Sequence, residues 1–175
     1  MAATGVGLIG CMIVAYKRKT WQEKLEDPKN MPKIVPLEKN FPCRRPLEKM
    51  GAQVGDSVVL APPSDVNAIM SQVPRGKLIT LTLICERLAE KYGAQYCCTL
   101  TTGIFVTIVA NAAEETGWNI PYWRTIKNTG ELNSKYPGGV SKQKVFLEQE
   151  GHTIIRRGRT HLRYYVKDYE LSLVQ

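Results

Sequence analysis

The segment Ile104–Glu115 constrains the fold of this chain more than any other. It is apolar on nearly every face as far as Val109, which is typical of a helix buried among other elements. Before it, apolar residues recur at helical spacing between Thr80, a suitable N-cap, and Gly93, a suitable C-terminal stop. Because the second helix follows soon after the first, the two predict a helix-turn-helix unit.

The remaining patterns predict an α+β fold preceded by an irregular N-terminal arm. Four prolines between Asn30 and Pro46 predict an extended segment, and we expect residues 1–50 to be an appendage to a domain over 51–175. Further predicted elements are helices at Trp21–Asp27, from a cap at Ser64 to Met70, and at Ser141–Glu150, and strands at Ser57–Ala61, Tyr122–Ile126, Thr153–Arg157 and Leu162–Lys167. The last two strands form a hairpin that would serve as a wing beside the helices.

The charge balance favours a polyanionic partner. The chain has 24 Lys and Arg against 16 Asp and Glu, which gives a formal net charge of +8 and a pI near 9.3. Basic side chains that neutralise phosphates gain affinity by releasing condensed counterions. The predicted hairpin tip gathers Arg156, Arg157, Arg159 and Arg163 into one basic cluster. The alternative is a basic surface without a binding role.

The five cysteines and two histidines show no metal-ligand spacing. Adjacent Cys97 and Cys98 are interpreted as small apolar residues entering a buried segment, with a strained disulfide or a redox sensor as the alternative. We expect His152 and His161 to face solvent. These patterns predict no metal, no cofactor and a reduced, cytoplasmic location.

The apolar run Gly5–Tyr16 is the strongest membrane signal in the sequence. It is far shorter than the ~20 residues that a spanning helix needs, and no basic stretch precedes it as in a signal peptide. We therefore expect no membrane association.

Four short motifs occur in a characteristic order. Val73–Lys77 (Val-Pro-Arg-Gly-Lys) precedes the first helix, and Ile120–Arg124 (Ile-Pro-Tyr-Trp-Arg) follows the second. Tyr136–Gly139 (Tyr-Pro-Gly-Gly) and Glu148–Gly151 (Glu-Gln-Glu-Gly) come next. This ordered set resembles the DNA-binding domain of the methylated-DNA-protein-cysteine methyltransferases and of the alkyltransferase-like proteins. It spans about Val73–Gly151, a little under half of the chain.

The resemblance implies a base-binding pocket without its nucleophile. The methyltransferases carry their reactive thiolate on a Pro-Cys-His-Arg strand, activated by the His and by a Glu. Here Tyr122 stands at the cysteine position, Trp123 at the histidine and Glu150 at the glutamate. A phenol with a pKa of about 10 is a poor nucleophile at neutral pH, so we expect binding more than catalysis. The pocket implied by the resemblance comprises Tyr122, Trp123, Arg124, Tyr136, Gly138, Gly139 and Glu150.

The aromatic pair in this pocket has two interpretations. Tyr122 and Trp123 could offer a face on which an exposed base stacks, or Trp123 could simply fill the vacated cavity. In a strand, Tyr122 and Arg124 would share one face and Trp123 would occupy the other.

The resemblance also implies a DNA-binding surface, with two departures. The family flips its base with an Arg finger at the start of the recognition helix and with a Tyr early in the preceding helix. Those positions are Gly103 and Leu81 here. The expected nucleic-acid contacts are Arg75, Lys77, Thr101, Thr102, Asn111, Arg156, Arg157 and Arg159.

The leading hypothesis is a non-enzymatic, alkyltransferase-like DNA-binding protein that senses alkylated or damaged bases in DNA repair. Its Ile104–Glu115 helix would dock in a groove of the duplex. The alternative is an interaction module that binds a protein or a small ligand in the vacated pocket, and Glu114 and Glu115 favour it because they would repel phosphates. A residual enzyme with Tyr122 or Cys97 as nucleophile is the third hypothesis.

Overall fold

Helices and short strands alternate along residues 17–175, which the computed structural model describes; the apolar run Gly5–Tyr16 lies outside them. The elements are α1 (Trp21–Glu26), β1 (Lys33–Pro36), α2 (Arg44–Lys49), β2 (Ser57–Leu60), α3 (Pro63–Ser71), β3 (Ile79–Thr80), α4 (Leu81–Tyr92), β4 (Tyr96–Cys97), α5 (Thr99–Thr116), β5 (Thr125–Ile126), α6 (Gly139–Gln149), β6 (Ile154–Arg157) and β7 (Arg163–Val166). The strands pair as β1-β2-β4, β3-β5 and β6-β7. The fold is therefore a mixture of helices and small sheets.

The residues predicted as an irregular arm form part of the core, so that prediction was wrong. β1 pairs antiparallel with β2. Beside this pair, Leu37, Cys43 and Leu47 are buried in a cluster with Val58 and Cys98. The prolines allow it because they lie at the ends of an edge strand, in the turn before α2 or within its first turn, where a missing N–H leaves no hydrogen bond unmade. The two strands pair across the boundary predicted at residue 50, and the division into an appendage over 1–50 and a domain over 51–175 stays a prediction.

Two helices on the N-terminal side differ in how well their starts were predicted. The prediction of α1 is confirmed, and it begins with a capping box in which Thr20 and Glu23 exchange hydrogen bonds. The helix predicted to follow a cap at Ser64 begins two residues earlier than expected, at Pro63, so Ser64 lies inside it. Proline suits the first helical position because its φ is already helical and its missing N–H has no partner there.

The two consecutive helices are confirmed as α4 and α5. Thr80 Oγ1 accepts a hydrogen bond from Leu83 N at 3.3 Å, and Gly93 ends α4 with a φ of 64°. Cys98 precedes α5, and its N–H donates to Val59 O at 2.9 Å. α5 packs against α1, α3 and α4 and lies at the centre of the fold. Although α5 has 18 residues, none of the helices within residues 17–175 has the length and apolarity needed to cross a bilayer.

The strand predicted at Tyr122–Ile126 is mostly a turn. Residues Tyr122–Arg124 form a short 3-10 helix, and only Thr125–Ile126 continues as β5, parallel to β3. The extended prediction was wrong here because the side chains of the turn reach carboxylates that belong to two different helices.

The C-terminal elements agree closely with their predictions. α6 starts two residues before Ser141, at Gly139, after Gly138 in the left-handed region with a φ of 73°. The predicted hairpin is confirmed as β6 and β7. At its tip, Gly158 has a φ of 105°, and a Cβ there would lie 2.2 Å from His161 O. The turn therefore requires glycine.

We predict that Leu37→Ala will lower the free energy of unfolding by about 2–5 kcal/mol, because it leaves a cavity in a packed cluster. Chemical denaturation of the full chain measures this. Leu171→Ala is the control, since Leu171 is 83% exposed, and it should change stability by less than about 0.5 kcal/mol. Equal small effects of both changes would mean that the N-terminal residues do not contribute to the core.

Candidate nucleic-acid interface

Three adjoining cavities open along the N-terminal half of α5, and we call them together the α5 trough. Their volumes are about 600, 410 and 460 Å³. Gly103 lines the first two, Leu81 the last two, and Leu100 the first and third. Ile104 and Val106 of α5 also line the trough. Residues from other parts of the chain complete the lining, among them Trp21, Lys24, Lys49, Thr125, Lys127, Asn128, Asn133, Lys135 and Tyr136.

The floor of the trough is an exposed apolar face of α5. Leu100 and Ile104, one helical turn apart, are each 52% exposed. α5 contains no Lys or Arg. A Cβ placed on Gly103 would lie 3.7 Å from Leu81 Cδ2. The two positions at which the resemblance places an Arg finger and a Tyr are therefore side by side in the trough.

The rim of the trough carries positive charge contributed by other elements. Lys24, Lys49 and Lys135 form no ion pair with any residue in the described part of the chain. Lys127 Nζ lies 2.6 Å from Glu131, and Arg163 of the hairpin lies 3.4 Å from the same carboxylate. One carboxylate thus balances two cations, and the rim stays positive.

Polar groups occupy the inner part of the trough. Tyr136 Oη donates to Thr125 O at 3.1 Å, and Asn128 Oδ1 accepts from Thr82 N at 3.0 Å. Thr125 is buried, and its Oγ1 has no hydrogen-bond partner among residues 17–175. An unpaired buried hydroxyl is costly, and this oxygen has almost no exposed surface in this conformation.

Next to Thr125 in the chain, Arg124 forms a largely buried ion pair with Glu150. Arg124 Nη2 donates to Glu150 Oε1 at 2.7 Å, and Arg124 Nε lies 3.0 Å from both carboxylate oxygens. Arg124 Nη1 donates to Val73 O at 2.6 Å, and Gly76 N donates to Glu150 Oε2 at 3.2 Å. The pair therefore joins three separate parts of the chain.

Trp123 occupies the histidine position of the resemblance and also contacts Glu150. Its Nε1 donates to Glu150 Oε1 at 2.9 Å. Burial opposes ionisation of Glu150, but the hydrogen bonds from Arg124 and Trp123 more than offset it and hold the pKa of Glu150 below its usual value. Trp123 and Arg124 thus share a partner, contrary to the alternation expected of a strand.

Tyr122 is packed inside the protein. Its residue is 2% exposed, and its ring makes edge contacts with Trp123 and Tyr136 at centroid distances of 5.6 and 5.4 Å. Its hydroxyl donates to Glu114 Oε1 at 2.7 Å, and Glu114 is also paired with Lys142. Burial and the hydrogen bond to Glu114 raise the pKa of Tyr122. Such a ring neither stacks on a base without moving nor ionises readily.

The residues predicted to form one pocket therefore do not all line the same cavity. Tyr136 lines the trough, whereas Tyr122 fills the interior and Trp123 packs on Phe146 with ring centroids 4.6 Å apart. Trp123 as a filler of the cavity agrees with this packing. Local packing favours glycine at position 138, because a Cβ there would lie 2.7 Å from the side chain of Lys142.

Gly139, the remaining glycine of the predicted set, has a φ of 63° and no atom near the position of a Cβ. Its N–H donates to Tyr136 O at 2.8 Å. The loop between these residues is thus closed on itself and held against Thr125 by the Tyr136 hydroxyl.

The predicted nucleic-acid contacts fall into two groups, and the polar residues on α5 form the first, in which each side chain bonds within the protein. Thr102 is buried and donates to Cys98 O at 2.9 Å, so it does not reach a phosphate in this conformation. Thr101 donates to Cys98 Sγ, and Asn111 donates to Thr107 O.

The predicted basic contacts are exposed. Arg75 donates to Gln149 O at 3.0 Å, beside the ion pair and not in the trough. Five basic residues are open to solvent, namely Arg75, Lys77, Arg156, Arg157 and Arg159. The hairpin arginines lie on the element whose Arg163 reaches Glu131 at the trough.

The sequence did not identify the residues that line most of the trough. Lys24, Lys49 and Lys135 belong to no sequence motif, and only tertiary packing brings them to the same trough. Leu100 and Ile104 offered one signal, because they extend the apolar surface of α5 beyond what a core requires.

His152 does not face solvent as predicted. It is half-buried, and its Nε2 has no hydrogen-bond partner within the described residues. Burial, with Arg124 nearby, lowers the pKa of His152. His161, on the hairpin, is exposed as expected.

Comparison with known proteins gives two solved structures. No protein-family model matches the chain, and no curated protein matches it. The first structure is S. pombe Atl1 in complex with damaged DNA containing O6-carboxymethylguanine, 20% identical, covering 65% of this chain and 94% of that one with a TM-score of 0.48. The second is S. pombe ATL in complex with DNA, 19% identical, with the same coverage and a TM-score of 0.45.

We predict that Arg124→Ala will destabilise the protein by about 3–5 kcal/mol, because it leaves Glu150 charged and largely buried. Arg44→Ala is the matched control. Arg44 pairs with Glu48 at the surface, where such pairs contribute about 1 kcal/mol or less. Urea denaturation compares the two variants, and similar losses for both would contradict a central role for the buried pair.

Lowering the pH should remove the stability that the Arg124–Glu150 ion pair contributes. Because the pKa of Glu150 lies below its ordinary 4.5, its stabilisation is present above that value and is lost as the pH falls through the lowered pKa. The stability difference between wild type and Arg124→Ala should therefore shrink on acidification to about pH 3. An unchanged difference would show that the effect of Arg124 is packing alone.

Proposed function

We propose that this protein is a non-enzymatic DNA-binding protein of the alkyltransferase-like kind, which holds DNA across the α5 trough and the β6–β7 hairpin. In this proposal α4 and α5 act as a helix-turn-helix and the hairpin acts as its wing. The observation that carries it is the positive rim around an open trough beside a basic hairpin.

The first support comes from uncompensated charge. Lys24, Lys49 and Lys135 border the trough from three separate elements, and the net charge of the chain is +8. Ammonium groups without a carboxylate partner are free to neutralise phosphates and release counterions. Since α5 itself has no cation, phosphates would be held by the rim and not by the helix.

The hairpin extends this charge beyond the trough. Arg156, Arg157 and Arg159 are exposed. The positive φ of Gly158 allows a tight turn at the tip of the hairpin. Arginine recognises phosphate with two parallel hydrogen bonds, which makes it suited to the backbone of a duplex.

The trough itself suits part of a nucleotide. Leu100 and Ile104 offer an apolar floor, and Asn133 offers polar groups to a planar, hydrogen-bonding ligand. Recognition of an alkylated or damaged base would use this combination, because alkylation adds apolar surface to a polar base.

Absence of catalysis is part of the proposal. Tyr122 at the acceptor position is buried, bonded to Glu114 and has a raised pKa. A neutral phenol held inside the protein is a weak nucleophile. Binding is therefore the activity that these side chains support.

A second function has one specific observation in its favour. Leu100 and Ile104 form an exposed apolar pair on a helix without cations, and such patches often contact proteins. If the trough binds a protein, the scaffold is an interaction module, and DNA affinity should not depend on trough residues.

We predict that Arg159→Glu will weaken binding to a labelled duplex by roughly tenfold and make its salt dependence less steep, because it replaces a phosphate contact with a repulsion. Fluorescence anisotropy at two salt concentrations measures this with plain duplex, duplex containing one 6-O-methylguanine, and single strand. Lys33→Glu is the control of equal charge change, on the exposed edge strand β1. Equal losses for both variants would indicate attraction by net charge alone.

We also predict that Gly103→Arg will strengthen duplex binding several-fold, because it adds a cation in the trough at a position where a Cβ makes only ordinary van der Waals contact with Leu81. Val145→Arg adds the same charge on α6, where Val145 is exposed, and should have a smaller effect. Preference for the methylated duplex would establish lesion sensing. No gain from Gly103→Arg over Val145→Arg, in proteins of equal melting temperature, would place DNA elsewhere and favour the interaction module.

A further inference from the structure

Two buried thiols from distant parts of the sequence lie against each other. Cys43 Sγ and Cys98 Sγ are 3.0 Å apart, although the residues are 55 positions apart in the chain. Cys43 precedes α2, and Cys98 precedes α5. The two residues are 1% and 3% exposed, within the cluster that joins the N-terminal segment to the rest of the fold.

The two sulfurs are in contact but not bonded. A disulfide needs a sulfur separation of about 2.05 Å, so the two atoms would approach by about 1 Å. Movements of this size are within the range of side-chain rotation. The neighbouring side chains, Leu37, Leu47 and Val58, already enclose the pair.

The two sulfurs have different surroundings. Thr101 Oγ1 donates a hydrogen bond to Cys98 Sγ at 3.2 Å, and Cys98 stands at the positive end of α5. Burial and the neighbouring Cys98 raise the pKa of Cys43 to about 12. Cys98 is therefore the sulfur suited to react first with an electrophile, and Cys43 stays a thiol until then.

The third cavity of the α5 trough, of about 460 Å³, borders the pair. Cys43 lines it together with Lys49 and Leu100, and Thr99, the residue after Cys98, lines it as well. A molecule of the size of hydrogen peroxide fits a space of this volume.

We propose that Cys43 and Cys98 form a reversible disulfide on exposure to a peroxide, which ties the N-terminal segment to the start of α5. Cys98 attacks the peroxide, the O–O bond breaks, and a sulfenic acid and one water form. Cys43 then attacks the sulfenic sulfur and releases a second water. The sum is two thiols and one hydrogen peroxide giving one disulfide and two waters.

The cross-link would act where the trough is built. It joins α2, which supplies Lys49 to the rim, to the first turn of α5, which supplies Leu100 to the floor. A disulfide restricts the unfolded chain more when it closes a long loop. The inference stands on the thiol geometry and does not depend on the proposed DNA binding.

A second thiol pair provides an internal comparison. The hydrogen bond between Cys85 and Cys97, with burial, raises the pKa of Cys85. Both residues belong to the cluster around α4 and α5, and Cys97 also contacts Thr102 Oγ1 at 3.3 Å. This pair shares no cavity of the trough with Cys43, so peroxide should oxidise it more slowly.

The test uses the full chain with Cys11→Ser, which leaves the four described cysteines. The protein is treated with a small molar excess of hydrogen peroxide, unfolded and alkylated with iodoacetamide, and its intact mass is measured. We expect two thiols to be protected, dithiothreitol to restore both, and the oxidised form to melt roughly 5 °C or more above the reduced one.

Cysteine variants are needed to show which residues form the disulfide. Cys97 and Cys98 are adjacent and occur in the same proteolytic peptides, so peptide masses alone do not distinguish them. Cys97→Ala should keep the protection, and Cys43→Ala should abolish it. Protection that persists in Cys43→Ala, or four alkylated thiols in the oxidised Cys11→Ser protein, would overturn the proposal. If Cys43→Ala does not fold, fragment-ion sequencing of the oxidised wild-type peptide decides the same question, and a link from Cys97 would overturn it.

Discussion

The buried ion pair between Arg124 and Glu150 holds together the parts of the chain that lie under the trough. Arg124 ends the turn after Pro121, and Glu150 ends α6. The two side chains also bind the backbone at Val73 and Gly76, between α3 and β3. Removing two charges from water is costly unless their hydrogen bonds are made inside the protein. Here the guanidinium and the carboxylate each have several partners, so the pair fixes geometry more than it adds stability.

α5 serves the core and the surface at once. One side packs against α1, α3 and α4, while Leu100 and Ile104 on the other side stay exposed. The positive charge that the helix lacks comes from Lys24 on α1, Lys49 on α2 and Lys135 in the loop before α6. The N-terminal residues therefore complete both the core and the proposed binding surface. The aromatic residues of the resemblance stay beneath that surface, where Tyr122 and Trp123 fill space and satisfy carboxylates.

The sequence predicted correctly those elements whose ends are fixed by interactions between residues close together in the chain. α1, α4, α6 and the hairpin were placed correctly because caps, glycines in the left-handed region and apolar spacing act within a few residues. The same reasoning failed for the segment Asn30–Pro46, because its prolines are compatible with an edge strand once β2 is available as a partner. It also failed at Tyr122–Ile126, where β-branched and aromatic residues read as a strand. Two carboxylates, Glu114 and Glu150, decided that conformation, and neither was predictable from the local pattern.

By itself the sequence determined the basic charge and the positions of α1, α4 and the β6–β7 hairpin, because composition and short-range signals do not depend on the rest of the fold. The tertiary structure decided the rest. It buried Tyr122, left Leu100 and Ile104 exposed, and brought Cys43 beside Cys98. These outcomes depend on contacts between residues tens of positions apart, whose free energies are realised only when the whole core packs. No local propensity encodes such proximity, and for this reason the trough and its charged rim were visible only in three dimensions.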